Sequence, residues 1–193
     1  MTTTTAKEIM NAEKFAQGLT WAEYLDGIKA NKEKFQQFYA DFQVKPEEAE
    51  FFKKYNAKRG PVKVVVIGED WCPDVVRGIP AVVRLAEAAG FELKIFPRDQ
   101  HLELMNEYLW RHEFLSIPVF VFFDKDWKEL GHWIERPAAG YKFVSDLNEE
   151  LSKGSHTDEE RTQIVRDRRA GVQIEWMHET VREIREYILY RVP

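Results

Sequence analysis

The chain has 193 residues, with Lys+Arg 28 against Asp+Glu 33, a net charge of −5, and 44% apolar, 13% aromatic and 32% charged residues. That length suits one globular domain with additions, and the apolar fraction is too rich for a disordered chain. An acidic balance supplies no basic surface to displace counterions, which argues against a nucleic-acid partner.

The first residues, Met1 to Glu8, lack the basic-then-apolar pattern of a secretory leader, so the expected setting is cytoplasmic. Thr20 and Glu23 are spaced as a capping box, which starts a helix. Beyond it Trp21, Leu25, Ile28, Phe35, Phe38, Tyr39 and Phe42 recur at helical spacings as one apolar stripe. Lys45-Pro46 interrupts it. A short second helix is expected from Glu47-Glu48 past Phe51 and Phe52 to the closing pair Lys53-Lys54, with Lys58-Arg59-Gly60-Pro61 as a turn. Val62 to Gly68 reads as a strand buried on both faces, Pro73 to Ala89 as a helix closed by Gly90, and Phe91 to Phe96 as a second strand. Strand, helix and strand imply a parallel crossover.

A helix around His101 to His112 follows, and then two strands, Ile117 to Phe123 and Glu129 to Glu135. Asp124-Lys125-Asp126 joins them as an antiparallel hairpin. No apolar run nears the roughly 20 residues that cross a bilayer, so no membrane partner is expected. Tyr141 to Leu151 forms a helix, and Lys153-Gly154-Ser155 a break. Thr157 with Glu160 caps a long last helix bent at Gly171. Its face Met177, Val181, Ile184 and Ile188 is expected to pack on the core. Arg166, Arg168 and Arg169, interleaved with acids, read as a solvated face.

Chemistry concentrates at Glu69-Asp70-Trp71-Cys72-Pro73-Asp74, where a buried strand passes into a helix. Cys72 is the chain's one cysteine, which excludes an internal disulfide and a thiolate-rich metal site. A helix N-terminus stabilises a thiolate, whereas Glu69, Asp70 and Asp74 oppose a second anion unless they point away, so the sign of the net shift stays open. Trp71 fits either core packing or a substrate platform, and Asp74 fits a first-turn carboxylate. The histidines show no paired metal-ligand spacing, and neither a phosphate-cradling glycine loop nor a Gly-x-Ser-x-Gly elbow occurs.

Trp71-Cys72-Pro73-Asp74 resembles the Trp-Cys-x-x-Cys motif that follows the central strand in the thioredoxin family. Pro80, eight positions on, is similar to the proline that kinks the family's active-site helix. Ile117-Pro118 looks like its cis-proline, which in that fold lies opposite the cysteine and helps dock substrate backbone. Asp99-Gln100 adds a weaker similarity, and the resemblance covers about Glu47 to Leu151. The family's second cysteine would fall at Val75 and its buried aspartate at Val66, so both are missing here.

The resemblance implies an α/β thioredoxin-like fold, a mixed sheet of four or five strands with helices on both faces. Residues 47–152 would form that domain, between helical extensions at 1–46 and 153–193. It implies a monothiol in thiol–disulfide exchange, with Cys72 as nucleophile and Trp71, Pro73, Asp74, Ile117 and Pro118 around the substrate groove. Turnover would need an external resolving thiol, such as a low-molecular-weight co-substrate, with no bound cofactor or metal. The partner would be a protein disulfide or thiol, and the chain a monomer or homodimer. The alternative, favoured by Val75 and Val66, is a redox-silent binding module on the same fold.

Overall fold

The computed structural model describes residues 10–191, with side chains to residue 188. Met1 to Glu8, the stretch bearing on a leader, lies outside the described residues. The sheet has four strands, β1 (Lys63–Gly68), β2 (Glu92–Pro97), β3 (Val119–Phe123) and β4 (Glu129–Ile134), in the order β2-β1-β3-β4. β1 and β2 run parallel, Val66 opposite Ile95, while β3 runs antiparallel to both β1 and β4. The β-branched run of β1 is buried along its whole length, as a central strand covered on both faces requires.

Helices before the sheet are α1 (Ala12–Ala16), α2 (Trp21–Gly27), α3 (Lys32–Asp41) and α4 (Pro46–Arg59). The Thr20–Glu23 capping box is present. The single stripe expected after it is broken in two. α2 ends at Gly27, Asn31 takes a left-handed conformation (φ 57°), and α3 starts anew. Asp70 holds this break, its Oδ2 accepting from the Lys29 and Ala30 amides at 2.7 and 2.9 Å. Pro46 opens α4, which runs past Lys53-Lys54 to Arg59 because Tyr55 and Asn56 still have partners. Asn56 donates to the Ala89 and Gly90 carbonyls and accepts from the Val62 amide.

α5 (Pro73–Ala89) crosses from β1 to β2 with Cys72 as its N-cap, Pro80 inside it, and Gly90 at φ 72° closing it. It is buried almost all round. The sheet covers one face, and α3, α4 and the last helix cover the rest. Gly78 makes that packing possible, since a Cβ there would come within 3.0 Å of Pro118 and 3.2 Å of the Phe120 ring.

The helix expected over His101 to His112 shrinks to α6 (Leu102–Met105). Arg111 and His112 adopt positive φ in the turn after it, and Trp110 bridges to Phe114, so no helical ladder can continue. α7 (Ala138–Ser152) starts earlier than Tyr141 because Glu183 Oε1 accepts from the Ala138 amide at 2.8 Å. The bent last helix is two separate helices, α8 (Asp158–Ala170), capped by the Thr157–Glu160 box, and α9 (Gln173–Arg191). Met177, Val181, Ile184 and Ile188 of α9 are buried in the core, as their spacing predicts. Among the described residues no helix is long and apolar enough to cross a membrane.

Candidate functional site

The site forms where β1 gives way to α5. The turn closes with the Cys72 amide donating to the Glu69 carbonyl (3.2 Å), and the Cys72 carbonyl accepts from the Val76 amide (3.0 Å), the first intrahelical bond. Cys72 is half-buried and its thiol donates to the Ile117 carbonyl at 3.6 Å. Ile117–Pro118 is cis, and both residues are buried. The Cys72–Pro118 juxtaposition expected from two distant motifs is therefore realised.

Trp71 is 52% exposed, with the Arg98 guanidinium 5.1 Å from its ring centre. Arg98 also donates to the Leu115 carbonyl at 3.4 Å, tying the Trp71 turn to the loop that leads into Pro118. Phe114 and Leu115 of that loop are exposed, and so is Pro73 next to Cys72.

Asp74, expected in the groove, instead turns inward and is 4% exposed. Its Oδ1 lies 2.9 Å from Arg77 Nη2 and 3.2 Å from Arg169 Nη2, and its Oδ2 2.8 Å from Arg136 Nη2. Arg77 is fully buried, donates to Gln173 Oε1 at 3.3 Å and sits over the Trp176 ring. Arg169, expected with Arg166 and Arg168 on a solvated face, instead turns inward to a carboxylate 95 positions away. The Asp74–Arg77 pair has the (i, i+3) spacing of helical ion pairs, a legible signal. Arg136 and Arg169 carried none.

Glu69 and Asp70 point away from the thiol. Glu69 Oε1 accepts from the Asp99 amide at 2.8 Å, which gives Asp99-Gln100 a structural role, and Asp70 is spent on Lys29 and Ala30. The sign left open by sequence is nonetheless upward: burial pushes the Cys72 thiol above its ordinary value. The Val75 and Asp74 amides oppose it, the Asp74 carboxylate adds to it, and Arg136 offsets part.

Val75 and Val66 are fully buried and apolar, so among the described residues no second thiol or carboxylate stands behind Cys72 at those positions. Val75 follows Cys72 by one helical turn. Val75→Cys is expected to give a protein whose two thiols titrate when reduced and vanish on mild oxidation. Two freely titrating thiols after oxidation would refute the placement of the motif.

A single-thiol site at the start of a buried crossover helix, facing a cis-proline, defines a thioredoxin-fold protein. A sequence model described as Thioredoxin matches residues 18–152, and the chain belongs to the thioredoxin family. Two solved structures share the fold over nearly the whole chain. One is a protein of unknown function from Pseudomonas aeruginosa, 18% identical, with TM-score 0.68, covering 93% of this chain and 96% of that one. The other is an HIV epitope-scaffold, 18% identical, with TM-score 0.66, covering 94% and 98%. No curated protein matches the chain.

Proposed function

We propose that the protein acts as a monothiol in thiol–disulfide exchange through Cys72, with a redox-related role in a reducing compartment such as the cytoplasm. The observation that carries this reading is the half-buried Cys72 thiol at the N-cap of α5, 3.6 Å from the carbonyl that precedes cis-Pro118. The Cys72 thiolate attacks one sulfur of a protein disulfide. That S–S bond breaks, a Cys72–sulfur bond forms, and the other sulfur leaves as a thiolate that takes up a proton. A low-molecular-weight thiol then attacks the substrate sulfur, Cys72 departs as thiolate, and the substrate sulfur is left in a disulfide with the small thiol. Trp71, Pro73, Ile117 and Pro118 shape the groove, while Asp74 positions the start of α5 from below.

Incubation with a small symmetric disulfide at mildly alkaline pH tests this by intact mass. The expected result is one adduct on Cys72, removed by excess thiol. An unmodified folded protein that reacts only after denaturation would overturn it.

Such protection would leave the redox-silent binding module, a second reading favoured by the upward push on the thiol and by the exposed Trp71. Alkylation by iodoacetamide against pH reports on Cys72 alone. Because burial dominates, its midpoint is expected above the free-thiol value of about 8.5, with the rate still rising through that pH. A midpoint near neutrality would show the α5 amides outweighing burial.

A further inference from the structure

We propose that the cavity beside Trp71 and Pro73 recognises an acidic, apolar segment of a protein substrate while that substrate's disulfide reacts at Cys72. The proposal rests on the exchange reading above and names its substrate class. The cavity, of 480 Å³, has a mixed wall in which Phe38, Trp71, Pro73 and Val76 stand beside side-chain amides and the cations Lys34 and Arg166, with no carboxylate among the described residues that line it. Trp71 and Pro73 are the neighbours of Cys72 on either side, so the cavity adjoins the turn that carries the thiol.

The charges single out an acidic occupant. Nearby cations on the same two helices are committed: Lys32 to Asp26, Arg168 to Glu150, Arg169 to Asp74. Lys34 and Arg166 are exposed and form no ion pair among the described residues. On a chain of net charge −5, an acidic ligand is repelled in general and attracted here, which favours orientation and encounter at this face. Two cations sharing a wall with aromatic and aliphatic side chains suit a segment that carries both carboxylates and a large apolar residue rather than a lone anion. Lys34 comes from α3 and Arg166 from α8, outside the β1–α5–β2 and β3–β4–α7 core. The terminal helices thereby acquire a role in choosing substrates.

Two short peptides, each with one cysteine disulfide-bonded to a chromogenic thiol, test the proposal. One has Phe or Leu between Asp and Glu residues, and the other has Lys in place of the acids. Attack by Cys72 on the peptide sulfur releases the chromogenic thiol. The acidic peptide is expected to react roughly fivefold to tenfold faster at low salt, as two exposed ion pairs allow. The advantage should vanish near 1 M salt, where the screening length is about 3 Å. The double variant Lys34→Glu, Arg166→Glu should reverse the preference, both positions being exposed. Equal rates for the two peptides on the native protein would overturn the proposal while leaving the exchange reading intact. Titration of Cys72→Ser with the acidic peptide carrying Ala for Cys separates the readings the other way. Salt-sensitive binding lost in the double variant supports recognition even if Cys72 proves unreactive, and no binding overturns it.

Discussion

Replacing Asp74 by alanine is expected to lower the melting temperature by roughly 6–20 °C, the equivalent of about 3–5 kcal/mol for removing one partner of a buried ionic cluster in a chain of this size. The carboxylate meets Arg77, Arg136 and Arg169 at once. Arg77 has no exposed surface, and burial works against its charge with Asp74 as the main opposing influence. Without Asp74, Arg77 keeps Gln173 and the face of Trp176 among the described residues, and three guanidinium groups are left repelling one another. Glu135 compensates Arg136 alone. Asp74→Asn keeps the shape and removes the charge, so a similar loss would assign the effect to electrostatics. Arg169→Met, at a partly exposed group, should cost much less. Thermal unfolding by circular dichroism measures all three, and an Asp74→Ala protein that melts with the native one would refute the account.

Ending the chain after Gly154 is expected to abolish cooperative folding. The missing segment contributes Trp176, Met177, Val181, Ile184 and Ile188, all nearly or fully buried. At about 2–5 kcal/mol for truncating each large core side chain, their combined loss exceeds the roughly 5–15 kcal/mol that stabilises a typical domain. The polar loss compounds it. Glu183 accepts from the Trp133 indole N–H at 2.9 Å and from the Ala138 amide, joining α9 to β4 and to the start of α7. Both donors would be orphaned. Ile184→Ala gives a graded test, with an expected drop of roughly 4–20 °C in melting temperature. A truncated chain with an unchanged melt and mass would show that α8 and α9 merely lie on the surface.

Elements whose information lies within a few residues were legible. Both capping boxes, the buried run of β1, the Pro73–Ala89 limits of α5 and its Gly90 cap all follow from hydrogen bonds and periodicities spanning one or two turns. The expectation over His101 to His112 failed for the opposite reason. Its apolar residues Leu104, Met105 and Tyr108 are buried, but the helix stops at Met105, and beyond it Trp110 stacks on the distant Tyr141. Similarly the stripe from Trp21 to Phe42 is apolar on one side throughout, yet Asp70 turns the chain in its middle.

By itself the sequence determined the α/β character, the single thiol at a strand–helix junction, and the absence of a second thiol one turn later, because each is a matter of residue identity and local spacing. The tertiary structure alone decided that α5 is enclosed by helices from both ends of the chain, that Asp74 faces three arginines rather than substrate, and that burial outweighs the helix amides at Cys72. Those outcomes depend on side chains far apart in the chain sharing a desolvated space, where charge and burial energies are large and no local pattern records the encounter.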